Sequence, residues 1–311
     1  MTGSNSKTNI QIIPARTIVI PNDRVSKKLF NLTTADLRDW IEQHKTVKFT
    51  ELLNHKRFGE ILSPIKLFVE EETFTISEPI DPFDRAVLAA CISEWEAGNR
   101  YTTPAIIYRA LTGKVGRGVA APSKNQLTDI LNSLKVLMRL QIDYDLSTCC
   151  EKLGYNNGKP EHLVSALLPA YYLQASTING KDATVIAFDR ESPLLQAAKI
   201  KNNQILSFDS NLLDVPHQQN TRMNIAIKFY VLTRVLEVKL HKQLTPTVTF
   251  DDVFDKCRIT NASRDLKMNA RNIIIKFFEH LQEKEIIQSF ELNKQRNARQ
   301  NVKFSVSKAT A

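Results

Sequence analysis

Apolar residues along this chain recur every three or four positions in some stretches and every second position in others. The first spacing is that of a helix with one buried face, the second that of a strand. From Asp81, DPFDRAVLAACISEWEAG places Phe83, Val87, Leu88, Cys91, Ile92 and Trp95 on one stripe, with Pro82 in the first turn and Gly98 as terminator. Tyr101-Thr102 can form a minimal strand. Thr103 or Pro104 then opens a second helix, AIIYRALTG, ending at Gly113, and Ser123 caps a third, KNQLTDILNSLKVLM. Leu140 to Leu146 reads as a strand. His162 to Ala175 and Ala183 to Phe188 flank Asn179-Gly180, a strong hairpin turn that would extend this unit into a larger antiparallel sheet.

A similar order of elements returns towards the C-terminus. TRMNIAIKFYVLTRVLEVKL is a long amphipathic helix starting at Asn220 or Thr221. Thr247 to Phe250 is a short strand and Asp251 to Lys256 a second helix. The third helix lies in Asn261 to Glu283, capped by Asn261 or Ser263, with Leu266, Ala270, Ile273, Phe277 and Leu281 on its buried face. Arg264, Lys267, Met268 and Arg271 fall on another face. An apolar strand (Ile286 to Leu292), a basic tip and a second strand (Val302 to Val306) follow. Helix, strand, basic loop, strand is the order of a winged helix-turn-helix, whose third helix enters a DNA major groove. The expected fold is therefore α+β, with two tandem winged helix-turn-helix domains and antiparallel wings. Residues 1–75 form a tail and lead-in segment, 76–210 the first domain and 211–311 the second, basic domain, with Asn211 to Gln219 as the hinge.

Within the lead-in, a strand from Arg16 breaks at Pro21-Asn22, Thr33-Thr34 precede a capped turn of helix, and Lys66 to Ile76 alternate like an edge strand. A composition of 42% hydrophobic residues with 9 glycines and 12 prolines in 311 residues is that of a folded chain. No run approaches the ~20 apolar residues that cross a bilayer, and the first residues lack the layout of a signal peptide. A cytoplasmic protein with no membrane partner is expected.

Charge sharpens this picture. Of the net +9, residues 217–311 hold 17 Lys and Arg against 9 Asp and Glu, while the preceding 216 hold 25 against 24. A basic excess confined to one end marks where a polyanion docks. Arg264, Lys267 and Arg271 have only Asp265 as an acidic neighbour, and Arg or Lys at guanine edges supplies ~1–3 kcal/mol of discrimination per good contact. Arg296, Arg299 and Lys303 occupy the wing, beside a backbone or minor groove. In the first unit, Lys124, Asn125, Thr128 and Asn132 make a polar face, but Asp129 would repel phosphate, so a weaker DNA role or a protein-facing one fits there. Lys114 and Arg117 belong to a basic turn that suits a DNA backbone and plain solvation equally.

Catalytic constellations are not found. A phosphate loop ending at Gly113-Lys114 would need glycine at Tyr108 and Ser or Thr at Val115. The six histidines are scattered, with neither a His-x-His pair nor HExxH, and no spaced basic set serves a tyrosine strand-transfer reaction. Asp251, Asp252 and Asp255 form an acidic cluster, but in the first turns of a helix they favour the macrodipole. Cys91, Cys149, Cys150 and Cys257 contain no CxxC pair. No cofactor or metal is expected.

Several segments resemble one known family. IPNDRVSKKLF (20–30) is similar to the "PND…R…LF" segment of iteron-binding plasmid replication initiators. HLVSALLPAYYL (162–173) with its hairpin, TRMNIAIKFYVLTRVLE (221–237), VTFDDVFDKC (248–257) and a basic third helix follow the order of their second half. By layout the resemblance spans most of the chain. It implies a tandem winged-helix protein that binds repeated origin sequences in double-stranded DNA, without catalysis. Arg264, Lys267, Met268 and Arg271 would read bases, and Arg296 and Arg299 would hold phosphate. It further implies a homodimer in equilibrium with an active monomer, and recruitment of host helicase and initiator proteins. A winged-helix transcriptional regulator is the rival reading among binding proteins, and a nuclease or recombinase the rival enzyme.

Overall fold

A computed structural model describes residues 12–23, 26–27, 65–69, 72–76, 80, 82–114, 121–145, 162–176, 182–200, 204–241, 243–293 and 301–306. The chain is a mixed α+β protein. Among the described residues are seven α-helices: α1 (Pro82–Glu96), α2 (Pro104–Thr112), α3 (Lys124–Arg139), α4 (Pro193–Ile200), α5 (Arg222–Leu240), α6 (Phe250–Lys256) and α7 (Arg264–Glu283). The described strands are β1 (Thr17–Pro21), β2 (Ile65–Val69), β3 (Glu72–Ile76), β4 (Tyr101–Thr102), β5 (Gln141–Asp145), β6 (His162–Ala166), β7 (Ala170–Ser176), β8 (Asp182–Phe188), β9 (Ile205–Asp209), β10 (Thr247–Thr249), β11 (Ile287–Asn293) and β12 (Asn301–Val306). All their pairings are antiparallel, in the small sheets β1-β9, β2-β3-β5-β6, β4-β8-β7 and β10-β12-β11.

Helix α1 is the centre of the molecule. Its sequence expectation was one buried stripe, yet every residue from Phe83 to Glu94 is buried. Ala86, Ala89 and Ala90 let neighbouring elements approach closely, and α1 packs against β1, α2, α3 and α5. Asp84, Ser93 and Glu94 survive burial there because they have partners. Ser133 Oγ donates to Asp84 Oδ1 at 2.6 Å, while Glu94 accepts from Ala15 N at 2.9 Å and Asn99 Nδ2 at 2.6 Å. Val19 N donates to Ser93 Oγ at 2.8 Å, so β1 of the lead-in segment is stitched onto α1 while it pairs with β9.

The single larger sheet expected around the Asn179-Gly180 turn is instead two sheets. Between β6 and β7, Leu167 N donates to Leu140 O at 2.8 Å and Leu168 N to Leu137 O at 3.0 Å. These bonds satisfy carbonyls at the end of α3 that have no intrahelical partner. Both leucines are thereby sealed in the core, and the chain turns out of one sheet into the next at Pro169. Strand β4 then pairs with β8, with Thr102 opposite Ile186.

In the second unit β12 lies between β10 and β11, with Val302 opposite Val248 and Phe304 opposite Phe290. Phe278 packs against both Phe290 and Phe304, at 5.7 and 5.6 Å between ring centroids. Helix α5 runs between α1 and α7. Read as amphipathic from sequence, it is buried on several faces, from Asn224 to Phe229 without interruption and again at Val231, Leu232, Thr233, Val235 and Val238. Lys228 is among its fully buried residues. Across the two units, Arg222 lies over the Phe83 ring at 5.0 Å and within 3.8 Å of Asp84 Oδ1, and Arg258 Nη2 donates to Ile80 O at 2.6 Å. The stretch expected as a hinge is packed: Ser210–Leu213 forms a 3-10 turn, and Lys228 Nζ donates to Leu213 O at 2.7 Å and Asn220 Oδ1 at 2.9 Å.

Candidate nucleic-acid interface

Helix α7 is fixed at its start by Ser263, whose hydroxyl accepts from Leu266 N at 3.3 Å. Ala270, Ile273, Ile274, Phe277, Phe278 and Leu281 bury its inner face. The first six residues stand clear of the core, for between Arg264 and Asn269 only Lys267 is half-buried. Leu266, expected on the inner face, is instead 38% exposed, and Met268 is 52% exposed. Helix α6 is capped by Thr249, whose Oγ1 accepts from Asp252 N at 3.0 Å. Asp251 and Asp252 occupy its first turn, where they favour the macrodipole, whereas Asp255, expected with them, stands next to last in the helix. The turn into α7 is tight: Arg258 adopts φ 55° and Ile259 N donates to Phe254 O at 2.7 Å.

Arg271 is placed differently from its neighbours. Its guanidinium lies 5.6 Å from the Phe250 ring centroid and 5.8 Å from that of Phe254, and these two rings stack on each other. It thus holds α6 against α7 from a half-buried position. The expected quartet is divided: Arg264 and Met268 are exposed, Lys267 is half-buried and Arg271 is engaged within the unit. Lys303 is exposed on β12, opposite Glu291 of β11. Arg296, Arg299 and Arg117 lie outside the described residues.

In the first unit, Ser123 and Gln126 form a capping box, with Gln126 N at 3.3 Å from Ser123 Oγ and Ser123 N at 2.8 Å from Gln126 Oε1. Lys124, Asn125 and Thr128 are exposed on the first turns of α3, with Thr128 Oγ1 donating to Lys124 O at 2.9 Å. Lys114 is exposed just past Gly113.

A cleft of about 1460 Å³ lies between the start of α3 and the start of α7. Asn125 and Lys114 line it near α3, Leu266 and Asn269 on α7, and Asn211, Asp214 and 218–221 from the stretch that joins β9 to α5. Among the described residues, the charged ones in its lining are Lys114, Asp129, Asp214 and Arg222, which balance. Arg264, Lys276, Lys284 and Lys303, all exposed, lie outside that lining. Sequence reasoning passed over Asn269 and Asn272. Both are exposed on α7, and two uncharged amides inside a basic helix were the available sign.

Beneath this surface, burial pushes the Lys228 ammonium down to about 8, against the pull of Asp214. Burial also lowers His280, whose ring stacks on Phe277 at 6.3 Å. Among the described residues no group of three or more His, Cys, Asp or Glu could hold a metal ion, and no helix is long and apolar enough to cross a membrane. Compared with known proteins, the chain matches no family model, no curated protein and no solved structure.

Proposed function

We propose that this chain is a non-enzymatic, sequence-specific DNA-binding protein, a replication initiator of a plasmid or mobile element. Its second unit acts as a winged helix that takes duplex origin repeats, and the first unit as a companion winged helix of weaker DNA contact. The observation that carries this reading is the exposed amino-terminal third of α7, projecting from a basic unit of order helix, strand, helix, helix, strand, strand. Such a projecting helix end can lie in a major groove while a hairpin beside it meets the backbone. The basic excess of residues 217–311 supplies the attraction for phosphate. Exchange between homodimer and monomer, and recruitment of host helicase and initiator proteins, belong to the same proposal.

Gel shift and footprinting on the DNA flanking its own gene test it. Protection of directly repeated sites about one helical turn apart, weakening steeply with salt, is the expected result. A single protected palindrome would assign the protein to transcriptional regulation. Metal-dependent cleavage of supercoiled DNA would make it a nuclease, and the absence of any complex would end the DNA reading.

A further inference from the structure

The outward stripe of α7 has a composition that its basic sequence conceals. Its exposed residues include Asp265, Met268, Asn269, Asn272, Lys276 and Glu279. Of the cations suited to guanine, Arg271 is held against Phe250 and Phe254 and Lys267 is half-buried. What the projecting half presents is therefore one arginine at its tip, Arg264, beside Asp265 and Leu266, followed by a thioether and two carboxamides. Among the described residues, no side chain hydrogen-bonds to the amide of Asn269 or of Asn272. Both are free to orient towards a ligand.

We propose that Asn269 and Asn272 are the specificity-determining residues of α7 and that they select adenine, so that the sequence bound by the second unit is centred on A·T pairs. This rests on the reading that the unit binds duplex DNA through α7. A carboxamide offers one donor and one acceptor side by side, the complement of adenine N6 and N7 in the major groove. Guanine presents two acceptors there, and the amide oxygen would face one of them unpaired. Residues three apart on a helix rise ~4.5 Å, close to one base-pair step of ~3.4 Å, so the two amides reach neighbouring pairs. Met268 lies one turn before Asn272 on the same stripe, where its exposed methyl meets a thymine C5-methyl. Arg264, Lys276 and Lys303 give the surrounding phosphates a cationic frame.

Site selection by the full-length protein from a random duplex pool tests this, repeated with Asn269→Ala and Asn272→Ala. Both positions are exposed, so each variant keeps the parent's thermal midpoint. The parent should enrich a motif with adjacent A·T pairs. Each variant should relax one of those positions by about 5- to 150-fold, the equivalent of a good bidentate contact. Replacing that adenine by 7-deaza-adenine should weaken the parent and leave the matching variant unmoved. A motif whose information lies in G·C pairs overturns the proposal. So does an A·T preference unchanged in both variants, which would mean that the duplex is selected by its deformability. A parent that binds duplex yet enriches no motif also overturns it, whereas a parent that binds no duplex removes the DNA reading beneath it.

Discussion

The ammonium of Lys228, in the middle of α5, donates across 2.7 Å to the carbonyl oxygen of Leu213 in the connector between the two units. Asn220 Oδ1 accepts a second bond from it at 2.9 Å. A buried lysine is costly unless its donors are satisfied, and here both partners belong to the segment that joins the units. The connector is thereby fixed from below, which holds the starts of α3 and α7 on opposite sides of one cleft.

This lysine gives the fold a pH dependence of definite sign. Asp214 and Lys114 are the charged groups acting on it, and His280 of α7 feels its charge in turn. With a folded value of about 8 and an unfolded value of about 10.4, the unfolded chain holds more of the proton between these limits. Stability therefore rises with pH through that window and is flat with respect to this group below it. Urea unfolding of the parent and of Lys228→Met at pH 7, 8, 9 and 10 checks this. The parent should gain on the order of 3 kcal/mol relative to the variant over the window. A constant difference would mean that Lys228 is not buried in its charged form.

Gly113 makes a second demand on the same junction. It ends α2 at φ 70°, and a Cβ there would meet Ser210 O at 2.6 Å and Asp214 N at 2.7 Å. Gly113→Ala combines the left-handed penalty of ~1–2 kcal/mol with overlap against backbone that cannot swing away. A loss above about 2 kcal/mol is expected from the urea midpoint at unchanged slope. A variant as stable as the parent would show that α2 and the connector do not meet here.

The devices that were legible in sequence are local ones. Ser123 and Ser263 cap their helices because the cap bond is made within three residues, and Gly113 ends α2 because its own backbone turns left-handed. Pairings between distant segments left no such mark. Nothing near Thr17 announces Asp209 as its partner, and the Leu167-Leu168 kink that splits the sheets depends on where α3 ends. Helices α1 and α5 pack against several elements at once, so a one-sided apolar stripe describes only part of their burial. In the candidate site, the exposure of Arg264 and Met268 followed from helical period, whereas the engagement of Arg271 depended on two rings of α6.

Arg264 lies at the exposed tip of α7, clear of the core. Its replacement by alanine leaves packing untouched, so the thermal midpoint should not move. If it meets a phosphate, affinity should fall evenly across sequences and the slope of log affinity against log salt should shrink by about 1. Fluorescence anisotropy between 50 and 300 mM salt, roughly the range over which such slopes are resolved, separates this from base reading. Loss confined to one base position would place Arg264 over a guanine instead.

Arg271 distinguishes a side chain that reads DNA from one that holds the reader in place. Beside the stacked rings of Phe250 and Phe254 it holds α6 against α7, so Arg271→Ala should cost about 1–2 kcal/mol of stability, the range for a partly desolvated cation near aromatic faces. Affinity for every duplex should fall together, because the projecting end of α7 is no longer held at one angle. Arg271→Lys keeps the charge but loses the planar stacking, and should recover part of the stability with the base preferences unchanged. Urea unfolding paired with site selection makes the comparison. If Arg271→Lys keeps full stability yet alters the preferred base at one position, the guanidinium leaves the two rings to meet the DNA, and its role is recognition.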